Sequence, residues 1–222
     1  VGAFYLYQWD GIYQYDGEVP QPQYELGYRA GDMKYHDFDG NGILNDKDRV
    51  ICGSANPILS GGWNNTFKFK GFELGIFFTY SLGNKVYAAW MSGPTRLGNY
   101  QGLLSEWAEH YWTGPGSTNS YPRPIYTLHG NNSLVSTYYL KDGSHIRLSS
   151  LSFGYSFQSN VLEKIRLKGL RIFIQGENLA LISKYPGWDP SISTSTDPAL
   201  IGVDNYGVPR STTFKLGVSV TF

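Results

Sequence analysis

The chain has 222 residues, and 18 Lys and Arg are balanced by 18 Asp and Glu. With zero formal charge there is no basic excess to meet a phosphate backbone and no acidic excess to keep the chain disordered, so nucleic acid is not an expected partner. Charged residues make up 16%, against roughly 25% in an ordinary soluble domain, aromatics also reach 16%, and the single cysteine, Cys52, rules out an internal disulfide and reads as a small buried filler.

Taken in chain order, Val1 to Gln8 reads as the end of a strand, and Val1 to Trp9 shows no charged region leading into an apolar core, so no signal peptide is expected there. If the protein is exported, its N-terminus lies elsewhere. No run of about 18 apolar residues follows anywhere, which excludes a membrane-spanning helix. A barrel strand alternates instead of forming an apolar run, so a mean hydropathy of -0.31 does not argue against a membrane.

The sharpest local motif is Asp37-Phe38-Asp39-Gly40-Asn41-Gly42-Ile43-Leu44-Asn45-Asp46-Lys47-Asp48. Asp37, Asp39, Asn41, Asn45 and Asp48 fall at the oxygen-donor positions of a calcium loop, the Ile43 carbonyl completes the set, and Gly42 takes the sharp turn. Asp48 stands where Glu is usual, so its reach is shorter and the expected affinity lower. The flanks do not read as long helices, which makes this a calcium-type loop over 37–48 without a full EF-hand. An ion-free Asp/Asn/Gly turn is the plain alternative.

Residues 65 to 81 read as a tight hairpin through Gly71. Phe72, Leu74, Ile76, Phe78 and Tyr80 share one face, while Glu73, Gly75 and Thr79 share the other. Ser105-Glu106-Trp107-Ala108-Glu109-His110 reads as a short helix capped by Ser105 rather than as acid/base machinery, and His36, His110, His129 and His145 are too scattered for a zinc site. Over 145 to 157 the apolar phase switches from Ile146 and Leu148 to Leu151, Phe153, Tyr155 and Phe157, which predicts a bulge near Ser149-Ser150. A linker over Ser159 to Gly169 leads to another strand at 170 to 181. Phe214, Leu216, Val218, Val220 and Phe222 alternate with Lys215, Gly217, Ser219 and Thr221 in the last one.

Connections alternate in length: Gly71 and 159–169 are short, whereas 9–60, 82–137 and 182–210 are long. Loops above about 15 residues are uncommon in compact soluble domains but expected on the outer rim of a transmembrane barrel. The reading is therefore all-β: an antiparallel transmembrane β-barrel segment over 1–222 of about six strands, starting near the outer rim and ending at the periplasmic one. An aromatic C-terminus resembles the sorting signal of outer-membrane barrels. The alternative is a secreted, calcium-stabilised β-sandwich that binds carbohydrate. Trp90, Trp107, Trp112 and Trp188, in the long loops, are candidate substrate or partner contacts. They serve equally as interface girdle or loop packing.

Several ordered blocks resemble the C-terminal part of the SusC/RagA family of TonB-dependent transporters: Tyr7 to Gln14, Gly31 to Gly42, Gly61 to Thr66 with Lys70 to Leu74, Tyr139 to Leu148, Leu170 to Leu179, Tyr185 to Pro190 and Thr213 to Phe222. The resemblance implies that these are C-terminal strands of a large plugged barrel, a bacterial outer-membrane importer of glycan fragments, oligosaccharides or peptides. It implies as partners a SusD-like surface lipoprotein, TonB–ExbB–ExbD acting through an N-terminal part, the remainder of the barrel, and membrane lipid with lipopolysaccharide. It implies no enzymatic activity.

Overall fold

The structure, a computed structural model, describes residues 2–92, 104–125, 132–157, 162, 166–194, 197 and 200–222. In chain order its strands are β1 (Ala3–Tyr7), β2 (Trp9–Ile12), β3 (Met33–Tyr35), β4 (Arg49–Ser54), β5 (Leu59–Phe69), β6 (Phe72–Leu82), β7 (Lys85–Ala88), β8 (Leu140–Asp142), β9 (His145–Ser156), β10 (Gly169–Ser183), β11 (Val203–Asp204) and β12 (Thr213–Thr221). Short helices α1 (Gln21–Glu25) and α2 (Ser105–His110) lie in the connections. No helix among the described residues is long and apolar enough to cross a membrane.

The chain divides into two compact units. The sheet unit comprises Pro57–Asn84, Asp142–Ser191 and Val208–Phe222. Its antiparallel strands run in the order β12-β10-β9-β6-β5. The β5–β6 hairpin turns on Lys70 and Gly71, at φ +47° and +90°, the double positive φ of the two-residue turn whose twist suits a hairpin. Across the sheet one row reads Val218, Ile172, Tyr155, Phe72 and Phe69, and another Leu216, Ile174, Phe153, Leu74 and Phe67. The intervening rows carry Gly217, Phe173, Gly154, Glu73 and Lys68, then Lys215, Gln175, Ser152, Gly75 and Thr66. One face is thus a continuous apolar surface and the other is polar or small, with the Phe173 ring laid over the glycine row where a β-carbon on Gly217 would collide with it.

The expected bulge is present. Phe77 pairs with Ser150 and Phe78 with Leu148, so Ser149 is the extra residue, and its hydroxyl sits 2.6 Å from the Thr79 hydroxyl. Skipping one residue returns Ile146 and Leu148 to the face of Leu151, Phe153 and Tyr155. A matching irregularity in β10, with Asn178 at φ +53°, lets that strand follow. The apolar face stays uncovered in the chain, with Leu216 77% and Phe69 70% exposed. A sandwich needs a second sheet on such a face, and among the described residues this one has none.

The first strand departs from expectation. Ala3–Tyr7 forms, but it pairs with Arg49–Ser54 instead of joining the wide sheet, which therefore has five strands among the described residues. A short alternating segment carries no record of its partner. In the same way the long connections hold strands of their own: β2 pairs with β3, and β11, β7 and β8 form a small sheet.

The loop unit comprises Val1–Asn56, Lys85–Lys141 and Ile192–Gly207. Its core is built on tyrosine. Tyr7, Met33, Tyr35, Tyr138 and Tyr139 form one buried cluster, and Tyr13, Val19 and Tyr28 a second. Tyrosine suits such a core because its ring buries apolar area while its hydroxyl satisfies a nearby polar group. The Tyr139 hydroxyl donates to the Asn132 carbonyl at 2.9 Å, and that of Tyr13 to Gln23 Oε1 at 2.9 Å.

Candidate functional site

The acidic loop follows β3 and precedes β4. Asp37 turns the chain by accepting the Gly40 N–H on Oδ1 at 2.8 Å and the Gly42 N–H on Oδ2 at 2.6 Å. Gly40 and Gly42 stand at φ +70° and +77°, a region that costs a side-chain-bearing residue but not glycine. Asn41 Oδ1 accepts from Ile43 N at 2.7 Å, Asn45 Oδ1 accepts from Lys47 N at 3.0 Å, and the Ile43 carbonyl accepts from Asn45 Nδ2 at 3.2 Å. Asp48 is fully buried: its oxygens accept from Phe38 N at 3.0 Å and Asn45 N at 2.8 Å, and it completes a capping box on the single 3-10 turn Asp46–Asp48. No long helix flanks the loop on either side, as the sequence implied.

The fold brings carboxylate oxygens of Asp37, Asp39 and Asp48 within 4.8 Å of one another. Burial pushes the Asp37 carboxyl up, but the Gly42 and Gly40 amides and the Asp39 side chain outweigh it and hold the group below its ordinary range. Three hard anionic donors in that space, with the oxygens of Asn41, Ile43 and Asn45 tied into the same turn, could hold a divalent, oxygen-preferring cation.

The four loop tryptophans do not behave alike. Trp188 is 81% exposed. Trp107 is 2% exposed and packs beside Tyr111, which corrects its reading as a contact residue: its ring has no open face. Trp112 is half-buried against Gly31, with its Nε1 donating to Gln14 Oε1 at 3.2 Å. Trp90 is half-buried, and its carbonyl accepts the Tyr206 hydroxyl at 3.3 Å.

Ser105 is the first residue of α2 and not its cap; the cap position is Leu104, which makes no side-chain bond. His110 Nδ1 lies 2.8 Å from the Glu106 carbonyl, while the Glu106 carboxylate takes the Tyr121 hydroxyl at 2.6 Å, so the segment assembles no acid/base pair. His129 lies outside the described residues. Cys52 is partly buried on β4, with Sγ 3.3 Å from the Val50 carbonyl.

Two ion pairs, one half-buried and one fully buried, are not legible in the sequence. In the loop unit Asp32 takes both Arg123 Nε at 2.7 Å and Nη2 at 3.1 Å, along with the Arg29 amide at 2.9 Å. In the sheet unit Arg147 Nη2 donates to Asp189 Oδ1 at 2.6 Å. Asp32, Arg147 and Asp189 lie in segments quoted for the family resemblance and Arg123 outside them, and nothing in a linear sequence joins residues so far apart.

No protein-family model matches the chain. It is similar to TonB-dependent receptor P3 of Formosa agariphila, 31% identical over 232 residues that cover 100% of this chain and 22% of that protein. It is 28% identical to TonB-dependent receptor SusC of Bacteroides thetaiotaomicron, over 92% of this chain and 19% of that protein. The chain thus spans about a fifth of the length of these curated relatives. Among solved structures, the RagAB peptide transporter superposes with a TM-score of 0.71 at 19% identity, covering 99% of this chain and 23% of that one. The RagAB peptide importer in its open-open state gives 0.72 at 20% identity, with 99% and 22% covered. The relatives are receptors and transporters rather than enzymes, and the likeness to solved structures is one of fold. Similar in sequence along its whole length to TonB-dependent receptors and in fold to the RagAB structures, the chain is a SusC/RagA-like segment.

Proposed function

We propose that this chain forms wall and outer loops of a TonB-dependent importer in a bacterial outer membrane. The observation that carries the reading is the wide sheet: one face is apolar and open, the other polar or small, and among the described residues both edge strands, β5 and β12, are unpaired on their outer sides. An open edge in lipid leaves backbone groups unsatisfied, so further strands of the same barrel must complete it. The substrate class is glycan fragments, oligosaccharides or peptides. A SusD-like lipoprotein caps the outer loops, and TonB–ExbB–ExbD acts through the rest of the polypeptide. The chain performs no covalent chemistry.

The test uses the native polypeptide that carries this chain. It is expected in the outer-membrane fraction, resistant to carbonate and high salt, and shifted in gel mobility on heating in SDS. A protein released by carbonate without detergent would sink the reading.

The acidic loop is proposed to bind Ca2+ through Asp37, Asp39, Asn41, the Ile43 carbonyl, Asn45 and Asp48, at the weak, roughly millimolar end expected of extracellular sites. Added Ca2+ should protect residues 37–48 from proteolysis, and Asp37→Asn should abolish the protection. Equal cleavage in Ca2+ and in chelator would leave an ion-free turn.

A further inference from the structure

Arg147 lies on the polar face of β9, between Thr79 on β6 and Leu181 on β10. Other basic side chains of that face stand about half in solvent, with Lys215 53% and Arg171 42% exposed, yet Arg147 is 5% exposed. It is covered by the segment that leaves β10. Asp189 Oδ1 accepts Arg147 Nη2 at 2.6 Å, the Ser191 hydroxyl at 2.6 Å and the Ser191 amide at 2.9 Å, and Nη2 also reaches the Ser191 hydroxyl at 3.2 Å. The root of the segment is tied as well: the Ser183 hydroxyl donates to the Ser144 carbonyl at 3.0 Å, and the Tyr185 amide donates to the Ser183 hydroxyl at 3.1 Å. Tyr185 is buried with its ring against Gly187. Trp188 therefore stands exposed between two buried neighbours.

We propose that Arg147, Asp189 and Ser191 form a lock that pins residues 184–191 across the polar face of the sheet. The lock makes that segment a fixed part of the wall and holds the Trp188 ring at a set position, where an unlocked loop would swing. Its end of the sheet lies opposite the Lys70-Gly71 turn, at the mouth of the passage if the wall reading holds. The lock itself does not need that reading.

Burial decides the strength of the pair. Lys215 and Glu177 approach equally closely, at 2.6 Å, but their side chains are 53% and 32% exposed, so water screens the contact and removing it leaves nothing stranded. Removing one partner of the Arg147–Asp189 pair strands the other in a dry site.

The experiment treats the intact transporter polypeptide with trypsin and reads cleavage after the exposed Lys184, beside the heat-dependent gel shift. Asp189→Asn and Arg147→Met are expected to speed cleavage on the order of 100-fold, as the open loop gains population when a buried pair loses one member, with the gel shift retained. Ser191→Ala, a milder change, is expected to give roughly 10-fold, and Glu177→Gln about none. Unchanged protection in Asp189→Asn and Ser191→Ala would overturn the lock. So would loss of the gel shift in the lock variants alone, which would make the pair a folding element of the wall. A missing gel shift in the unaltered polypeptide would count against the wall reading, while the Lys184 cleavage ratio would still decide the lock.

Discussion

The loop unit and the sheet unit use the same alphabet in opposite senses. Among the described residues, buried apolar side chains such as Tyr7, Ile12, Tyr13, Met33, Tyr35, Val86 and Tyr139 belong to the loop unit, whereas Leu162 and Tyr185 are the buried ones of the sheet unit. The sheet unit instead displays Phe67, Phe69, Phe72, Phe153, Ile174, Leu216 and Val218 on its surface. One unit is stabilised as a water-soluble fold is, by an inward core. The other turns its apolar residues outward and keeps its polar ones together, which is stable where the surroundings are hydrocarbon. An identical substitution should thus have opposite consequences in the two, and that is how the contrast can be broken.

The largest effect is expected in the tyrosine core. Tyr139→Ala removes a fully buried ring packed against Tyr138 and Tyr87, along with the hydrogen bond to Asn132, and should cost about 3–5 kcal/mol of local stability. Hydrogen exchange should report it as lost protection in β2 and β3 while β9 and β10 stay protected; spread of the loss through the sheet would mean the two units do not fold separately. Alkali should find the same unit. Burial, helped by the charges of Asp37 and Asp10, pushes the Tyr13 phenol up to about 12, and burial also raises Tyr28, Tyr35 and Tyr138. A raised folded pKa contributes stability that is complete below the unfolded value of about 10 and is lost as pH climbs through the folded one. The loop unit should therefore resist proteolysis up to about pH 10 and lose protection toward pH 12, as tyrosinate absorption grows.

On the sheet the informative pair is adjacent. Ile174→Arg puts a charge into the apolar row beside Leu216 and Phe153 and should cost about 2–4 kcal/mol if the row sits near mid-membrane. Gln175→Arg, one residue on, points to the polar face near Glu177 and should change stability by less than about 0.5 kcal/mol. The measurement is the temperature at which the folded band disappears in SDS. Equal shifts for the two would refute the two-faced wall.

Much of this contrast could be read from single strands, because a period of two needs no partner. The phase slip between Leu148 and Leu151 was enough to place a bulge near Ser149-Ser150, which the register narrows to Ser149, and the turn of the acidic loop was legible because its donors are local. What the sequence could not show depends on tertiary context. Ala3–Tyr7 alternates whether it joins the wide sheet or pairs with Arg49–Ser54. A tryptophan in a six-residue helix looks the same inside or out, so the burial of Trp107 was hidden, as was the union of Arg147 with Asp189, 42 residues apart.

The acidic loop belongs to the loop unit and is held by capping rather than by apolar area, so its effects should be smaller. Asp48→Ala removes the acceptor for the Phe38 and Asn45 amides and should cost about 1–2 kcal/mol, seen as faster exchange at those two amides. No response there would mean that water replaces the carboxylate without penalty, which its complete burial argues against.

The smallest effect tests the backbone of the sheet unit alone. Lys70 occupies the left-handed region at φ +47° in the β5–β6 turn, a conformation that crowds a β-carbon and leaves glycine unstrained. Its side chain contributes little there beyond an ammonium 5.2 Å from the Phe69 ring. Lys70→Gly should therefore stabilise the hairpin by under about 1 kcal/mol, the relief of strain offset in part by the greater freedom of glycine in the unfolded chain. Lys70→Val, whose branched β-carbon fits this region worse, should destabilise by about 1–2 kcal/mol. Because the turn joins two strands that are adjacent in sequence, both changes should move the melting of the sheet and leave the alkaline transition of the tyrosine core where it was. A shift of both transitions by Lys70→Val would show that the inward-packed and outward-packed units melt together.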